Sequence, residues 1–268
     1  MAVDLDPYLA RIGHRGPVEP TIACLDALHL AHVTSIPFEN LDILLGRPIR
    51  LDLESLQHKL VRRRRGGYCF EHNTLFAAVL EAIGFRVTRL AARVRHGTGE
   101  VTPRTHMVLR VEAEETEWLA DVGFGGASIL KPLPLEPGPA VEQFGWRFRL
   151  VDVDGARVLQ TLRPDGWLDY YAFTLEPQHP IDYEVANHYT STHPDSRFTR
   201  TPTAQLSSPE RSLILRGHEL SEVTPSNEVV SDVAGEDLLE VLATRFTLVF
   251  PEGTRFDGGQ AERPRRPR

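Results

Sequence analysis

Arg65-Gly66-Gly67-Tyr68-Cys69-Phe70-Glu71-His72-Asn73 places a cysteine just after a glycine pair and just before a helical pattern. Apolar residues then recur at helical spacing until a glycine stop: Leu75, Phe76, Val79, Leu80, Ile83 and finally Gly84. We therefore expect Cys69 at a helix N-terminus, where unpaired N–H groups and the helix dipole favour the thiolate, the reactive form of cysteine. Gly66 and Gly67 would let backbone approach the sulfur closely, as a substrate site needs. The stretch predicts a reactive cysteine.

Composition and charge are those of an ordinary globular protein. The chain has 268 residues, 41% hydrophobic and 25% charged, which is enough for a sizeable core. A net charge of −7 argues against nucleic acid or an acidic membrane as a partner. Cys24 and Cys69 are too few for a disulfide framework, and we find neither a signal-peptide pattern nor a transmembrane run. These features predict a cytoplasmic location.

The first 84 residues are predicted to be mostly helical. Apolar residues after Thr21, the predicted N-cap, indicate a helix that ends before Pro37. Asp52 is the predicted N-cap of a second helix, which continues to Leu60. Between these helices lies Ser35-Ile36-Pro37-Phe38-Glu39-Asn40-Leu41-Asp42, which on its own is predicted to be a surface connection.

From Arg86 the apolar period changes to that of strands. Strand patterns cover 86–95, 105–111, 116–122, 147–153, 157–163 and 167–175. The turn signal Asp154-Gly155 and the close spacing of the strands predict an antiparallel sheet or barrel. The polar, proline-rich segment 181–225 supports no assignment. Beyond it, 236–246 is predicted to be an amphipathic helix and 263–268 a disordered basic tail.

A nucleophilic thiol needs a base, and the base needs an orienting group. If strands 105–111 and 116–122 form a hairpin that turns at Ala113-Glu114, His106 and Asp121 stand directly opposite on one face. The Asp121 carboxylate could then hold the Nδ1–H of His106. Taken singly, a strand histidine and an aspartate before Val-Gly are more often structural, so these roles depend on the pairing.

His72 is the second-ranked base, since it shares a helix face with Cys69. A metal site is not expected, because no Cys-x-x-Cys or His-x-x-x-His spacing surrounds Cys69.

The chain resembles the arylamine N-acetyltransferases over nearly its whole length, loosely in its C-terminal third. The segments that carry the resemblance are Ser35-Ile36-Pro37-Phe38-Glu39-Asn40-Leu41, the block from Arg65 to Asn73, Thr105-His106, and Asp121-Val122-Gly123-Phe124-Gly125. The resemblance implies an α+β fold with a papain-like Cys-His-Asp triad. In that fold a helical bundle (1–84) carries the nucleophile, an antiparallel β-barrel (85–180) carries the histidine and the aspartate, and an α/β lid (181–268) includes the disordered tail.

The resemblance also implies a function in xenobiotic metabolism. Cys69 would take the acetyl group of acetyl-CoA, His106 would act as base and Asp121 as its orienting group. An aromatic amine, hydrazine or hydroxylamine would then accept the acetyl group, in a ping-pong mechanism. Acetyl-CoA is a co-substrate here, and no tightly bound cofactor is expected.

Four further expectations concern the surroundings of the triad. The backbone N–H of Cys69 is the candidate oxyanion donor. Phe38 and Phe124 would line an apolar pocket for the arene. Gly125 and Gly126 would let the pantetheine arm pass close to backbone. Finally, Glu39 and Arg65 would form a structural ion pair.

Other functions remain open at this stage. An amide synthase that closes a macrolactam from a carrier-bound polyketide chain shares the triad, and a cysteine hydrolase would use water as the acceptor. A non-catalytic ligand-binding relative is disfavoured by the intact Cys69, His106 and Asp121. The sequence also leaves open whether the protein is a monomer or a dimer.

Overall fold

The N-terminal helices form where the sequence supplies their caps. The computed structural model describes residues 2–95 and 101–256. Its α-helices are α1 (Leu5–Ile12), α2 (Ile22–Ser35), α3 (Leu41–Leu44), α4 (Leu53–Leu56), α5 (Cys69–Ile83), α6 (Pro180–Thr192) and α7 (Leu238–Phe246). The predicted basic tail, 263–268, lies outside the described residues.

Four predicted helix ends are confirmed. The Thr21 hydroxyl accepts a hydrogen bond from the N–H of Cys24, and the Asp52 carboxylate accepts one from Ser55. Helix α5 begins at Cys69, and Gly84 ends it in the left-handed conformation at φ +109°. The helix after Asp52 differs from the prediction, because it widens after Leu56 into a π-helical turn, Gln57–Arg62.

The predicted antiparallel barrel is confirmed. Within the described residues an eight-stranded antiparallel sheet has the order β5-β4-β3-β2-β9-β8-β7-β6 and curls into a nearly closed barrel. Its strands are β2 (Arg86–Val94), β3 (His106–Ala113), β4 (Thr116–Ala120), β5 (Leu133–Pro134), β6 (Val141–Gln143), β7 (Trp146–Val153), β8 (Ala156–Arg163) and β9 (Gly166–Pro177). The predicted hairpin turn Asp154-Gly155 has both residues at positive φ, 51° and 78°.

The predicted register of the β3–β4 hairpin is wrong by one residue along each strand. Ala113 pairs with Thr116, so the turn is Glu114-Glu115 rather than Ala113-Glu114, and both glutamates have positive φ (51° and 62°). Ala113 stays in the strand because its side chain is buried in the core. Cross-strand partners therefore shift by two positions, which preserves the face on which each side chain lies.

A second sheet pairs one strand from the N-terminal region with four strands from the C-terminal third of the chain. Among the described residues it has five antiparallel strands in the order β1-β10-β11-β12-β13. These are β1 (Phe38–Glu39), β10 (Thr203–Ser207), β11 (Ser212–Arg216), β12 (Glu219–Val223) and β13 (Glu228–Asp232). Segment 181–225, which had no assignment, thus contains α6 and three strands of this sheet. The predicted division at 84 and 180 remains a prediction.

The prediction that Ser35 to Asp42 forms a surface connection is wrong. Residues 36–44 are all buried, and they include β1, an edge strand of the second sheet. Burial is possible because neighbours pair with their backbone groups: the N–H of Glu39 donates to Gly67 and that of Asn40 to Thr203. No helix in 2–95 or 101–256 has the length and apolarity needed to cross a membrane.

Candidate active site

Cys69 is the first residue of α5, and its sulfur faces the strand that carries His106. The Sγ atom lies 3.5 Å from the carbonyl oxygen of Thr105. Gly123 packs on the backbone of Cys69, since a Cβ at Gly123 would come within 2.9 Å of the Cys69 Cα. The close approach of glycine backbone to Cys69, which was expected at Gly66 and Gly67, thus occurs at Gly123. It brings the segment after β4 against the start of α5.

His106 and Asp121 form a buried hydrogen-bonded pair. The distance between His106 Nε2 and Asp121 Oδ2 is 2.7 Å, and neither residue is more than 2% exposed. The prediction that the other ring nitrogen, Nδ1, faces the carboxylate is therefore wrong. With Nε2 bound to Asp121, Nδ1 is the nitrogen that remains for the Cys69 sulfur.

The electrostatics of the pair favour a charged imidazole. Burial alone would lower the pKa of His106, but the Asp121 carboxylate and the Cys69 thiol outweigh burial and raise that pKa to about 10. Burial would raise the pKa of Asp121, yet the charge of His106 and hydrogen bonds to the carboxylate lower it from 3.8. The arrangement therefore favours an imidazolium between a carboxylate and the sulfur, the form that activates a cysteine.

Both oxygens of the Asp121 carboxylate take part in hydrogen bonds. Its Oδ1 accepts hydrogen bonds from Asn73 Nδ2 at 2.9 Å and from the N–H of Gly123 at 3.0 Å. The Asn73 side-chain amide also donates to the carbonyl of Met107 and accepts from the N–H of Val122. Its hydrogen bonds therefore join α5 to the strand that carries His106 and to the segment that carries Asp121. The sequence analysis missed the role of Asn73, although its position four residues after Cys69 on α5 was a usable signal.

His72, the second-ranked base, does not face the sulfur. Its Nε2 lies 3.2 Å from the Pro37 carbonyl and 3.0 Å from the Gly67 carbonyl, so this nitrogen carries the proton. Its Nδ1 accepts from His32 Nε2 at 2.8 Å, and His32 Nδ1 in turn bonds to the Tyr8 hydroxyl at 2.8 Å. Burial lowers the pKa of His72 to about 4. This chain of neutral side chains ties α1 and α2 to the backbone beside Cys69.

A cavity of about 340 Å³ opens above the sulfur. Cys69 and His106 line it together with the predicted Phe38 and Phe124, and with Phe198, which the sequence analysis missed. Phe124 meets the His106 ring edge-on at a centroid distance of 5.2 Å. Gly125 and Gly126 do not line this cavity. They line a cavity of about 20 Å³ beside Gln205.

Tyr171 completes the surroundings of His106. Its ring is fully buried and lies 4.9 Å from the His106 ring, between centroids. Burial and the nearby Asp121 charge raise the pKa of Tyr171 well above 10, so its hydroxyl stays protonated. Phe124 and Tyr171 also contact each other, with centroids 5.1 Å apart, so the His106 imidazole packs against both rings of one aromatic cluster, which restricts its rotation.

The glycine pair has a different role from the one predicted. A Cβ at Gly66 would lie 2.0 Å from the Pro37 carbonyl oxygen, and one at Gly67 would lie 2.7 Å from Glu71 Oε2. The glycines therefore admit the buried segment around Pro37 and the Glu71 carboxylate, not a substrate beside the sulfur. Their effect on Cys69 is indirect, through the backbone that precedes α5.

The predicted ion pair between Arg65 and Glu39 is confirmed. Arg65 Nη2 lies 2.5 Å from Glu39 Oε1, and Arg65 also pairs with Asp42 at 3.2 Å. Lys59, on the π-helical turn, links Asp42 at 3.0 Å to Glu71 at 2.8 Å. The second Glu71 oxygen accepts a hydrogen bond from the N–H of Tyr68, directly before Cys69. This partly buried network fixes the backbone on both sides of the glycine pair.

In residues 2–95 and 101–256, no group of three or more histidine, cysteine, aspartate or glutamate side chains could hold a metal ion. Cys24 and Cys69 are both free thiols.

Comparison with known proteins agrees with the fold. A family model described as N-acetyltransferase matches residues 21–254. The arylamine N-acetyltransferase of Mycolicibacterium smegmatis is 40% identical over 253 residues, which cover 92% of each chain. The crystal structure of the Nocardia farcinica arylamine N-acetyltransferase superposes with a TM-score of 0.88 at 44% identity, covering 93% of this chain and 90% of that one.

A third relative was solved with a ligand. The structure of the Mycobacterium marinum arylamine N-acetyltransferase in complex with CoA has a TM-score of 0.87 at 36% identity, and covers 91% of this chain and 92% of the other. The matches extend over the helices, the barrel and the second sheet alike. This chain belongs to the arylamine N-acetyltransferase family of acyltransferases.

Proposed function

We propose that this protein transfers the acetyl group of acetyl-CoA to the nitrogen of arylamines, arylhydrazines or N-hydroxyarylamines, through an acetyl-cysteine at Cys69. The observation that carries the proposal is the hydrogen-bonded His106–Asp121 pair beside a cysteine in an aromatic cavity. The CoA complex of the related M. marinum protein supports acetyl-CoA as the donor.

In the first half-reaction the Cys69 thiolate attacks the thioester carbonyl of acetyl-CoA. The new bond joins Sγ to the acetyl carbon, and the bond from that carbon to the CoA sulfur breaks. The departing CoA thiolate takes the proton from the His106 imidazolium and leaves as the free thiol. The N–H of Cys69, at the start of α5, is the proposed donor to the oxyanion.

In the second half-reaction the amine nitrogen attacks the acetyl-cysteine. His106, now neutral, accepts the proton from that nitrogen, and the Cys69 thiolate leaves. The raised pKa of His106 keeps the proton on the imidazole, which restores the starting ion pair. Asp121 holds the ring orientation throughout and remains ionised.

The aromatic walls of the cavity support an aryl acceptor. Phe38 and Phe198 pack against each other with centroids 5.9 Å apart, and Phe124 lines the cavity next to His106. Stacking between such rings contributes about 0.5–1.5 kcal/mol beyond the burial of area. We propose Phe38 and Phe124 as arene-binding residues. We also propose that the pantetheine arm passes Gly125 and Gly126, which lie next to Phe38.

The test is an intact-mass spectrum recorded after acetyl-CoA is added and again after an anisidine or a hydrazide is added. We expect one acetyl group on Cys69 that disappears with the amine and yields free CoA and the amide. The Cys69→Ser variant serves as the control and should stay unmodified.

Other outcomes would assign another reaction. Loss of the acetyl group without amine would favour a hydrolase, and reaction only with a carrier-bound acyl chain would favour an amide synthase. Absence of any amine-dependent CoA release across a broad amine panel would reject the proposal.

A further inference from the structure

His29 contacts the backbone of Asp121, and the proposed mechanism does not use this histidine. It belongs to α2, is fully buried, and meets the ring of Phe76 edge-on at a centroid distance of 5.9 Å. Its Nε2 accepts the backbone N–H of Asp121 at 3.1 Å, and its Nδ1 lies 3.0 Å from the carbonyl oxygen of Leu130. One imidazole therefore contacts both ends of segment 121–130.

These two contacts fix the protonation of His29. A carbonyl oxygen can only accept, so Nδ1 carries the proton, and an N–H can only donate, so Nε2 carries none. A charged imidazole would place a second hydrogen against the N–H of Asp121. Burial, the largest influence, lowers the pKa of His29 to about 4, which agrees with a neutral ring.

The backbone of Asp121 needs such a partner because the regular pairing of β3 with β4 ends at Leu109 and Ala120. At the other end of the segment, the N–H of Leu130 and that of Lys131 donate to the side chain of Gln143, at 2.9 Å and 3.0 Å. Between these ends lie Gly123, which packs on Cys69, and Phe124, which lines the cavity.

We propose that His29 is a positioning residue for the acyl-transfer site. It fixes the backbone of Asp121, and through Asp121 it sets the orientation and charge of His106. Through its hydrogen bond to Leu130, His29 also holds the far end of the segment that carries Phe124. The proposal rests on the proposed function for its kinetic consequences, whereas its effect on the reactivity of Cys69 can be measured without any acyl donor or amine.

Two variants separate the two hydrogen bonds of His29. The amide of His29→Asn reaches the position of Nδ1, so it can donate to Leu130 but leaves the N–H of Asp121 unpaired. The longer His29→Gln brings its carbonyl oxygen to the position of Nε2 and can accept from Asp121. Leu25→Ala, on the same helix and fully buried, removes core packing alone.

The first readout is the pH dependence of Cys69 alkylation by iodoacetamide. For His29→Asn we expect the midpoint of the rise to move up by about one pH unit, because a displaced carboxylate stabilises the His106 imidazolium less. We also expect kcat to fall about tenfold, with the KM for the amine changed less than about twofold. His29→Gln should recover most of both properties, and Leu25→Ala should lower Tm while keeping the alkylation profile.

Three results would overturn the proposal. One is a folded His29→Asn variant with the wild-type alkylation profile, and another is equal defects in the Asn and Gln variants. The third comes from the wild-type protein labelled with ¹⁵N-histidine, where we expect His29 neutral and protonated on Nδ1 over about pH 5–9. A proton on Nε2 would contradict the Asp121 contact even if no variant folds. A wild-type enzyme without acetyl transfer would reject the proposed function and leave these readouts interpretable.

Discussion

Cys69 and Cys24 are nearly equal in burial, at 4% and 5% exposed, and differ in what surrounds each sulfur. Cys69 begins a helix, lines a cavity and faces an imidazole that Asp121 keeps charged. Cys24 lies in the first turn of α2, where burial raises the pKa of its thiol. We therefore expect the two thiols to differ in reactivity because of the neighbouring charge and the cavity at Cys69, since their exposed fractions are nearly the same.

We expect iodoacetamide to alkylate Cys69 about 10²-fold faster than Cys24 at neutral pH, because the thiolate is the nucleophile. Peptide mass mapping over a time course measures both rates, and acetyl-CoA should protect Cys69 alone. Cys69→Ser should remove the fast phase. Equal rates at the two sites would contradict an activated thiolate.

Asp121→Asn should lower turnover about 10³–10⁴-fold. The neutral amide cannot offset the burial of His106, so the pKa of His106 falls and the imidazolium is lost at a lower pH. Steady-state acetyl transfer measures the loss. Asp26→Asn is the matched control, since Asp26 forms a surface pair with Lys131 at 3.2 Å, and it should stay within about twofold of wild type. Full activity of Asp121→Asn would remove Asp121 from the mechanism.

At the scale of elements, local chemistry predicted which faces meet but not the register. The alternation in β3 and β4 placed His106 and Asp121 on one face, and a turn displaced by one residue kept them there. The turn position depended on Ala113, which packs into the core under α5 and stays in the strand. A turn of two glutamates at positive φ carries no sequence signal comparable to Asp154-Gly155.

The connection between the glycine pair and the buried segment around Pro37 leads to a prediction at this scale. Gly66→Ala should destabilise the protein by about 3 kcal/mol or more, since its Cβ would meet the Pro37 carbonyl at 2.0 Å and backbone must move. Urea unfolding measures the change. Gly138→Ala is the control, because its Cβ would meet nothing closer than 3.9 Å, and it should be nearly neutral. Similar stability of the two variants would argue against this contact.

Across the whole molecule, three buried neutral histidines join α2 and α5 to the segments that surround the site. Burial lowers the pKa of His29 and of His72 to about 4 and that of His32 well below 6.5. The unfolded chain would bind protons on all three at mildly acidic pH, whereas the folded chain would not. Stability should therefore fall as the pH drops from about 6.5 toward 4.

For each of these histidines, we expect the free energy of unfolding to fall by about 1 kcal/mol when the pH is lowered from about 7 to about 5.5. Urea unfolding at the two pH values measures the net change in the free energy of unfolding, and His72→Gln should lessen the loss by one such increment. The exposed His188→Gln should leave it unchanged. His106 acts in the opposite sense, since its raised pKa adds stability below about 6.5 that is lost as the pH rises through about 10. Equal stability at pH 7 and at pH 5.5 would contradict the prediction that His29, His32 and His72 stay neutral in the folded protein.

The sequence by itself determined the helix caps and the alternation of the strands, and its motifs singled out Cys69, His106 and Asp121 as the candidate site. These follow from hydrogen bonds and periodicities within a few residues, which a local pattern records. Only the tertiary structure decided the ring nitrogen that faces Asp121, the burial of 36–44 and the contact of His29 with Asp121, 92 positions away along the chain. Such contacts depend on how helices, barrel and second sheet pack together, and packing between distant segments leaves no local pattern in the sequence.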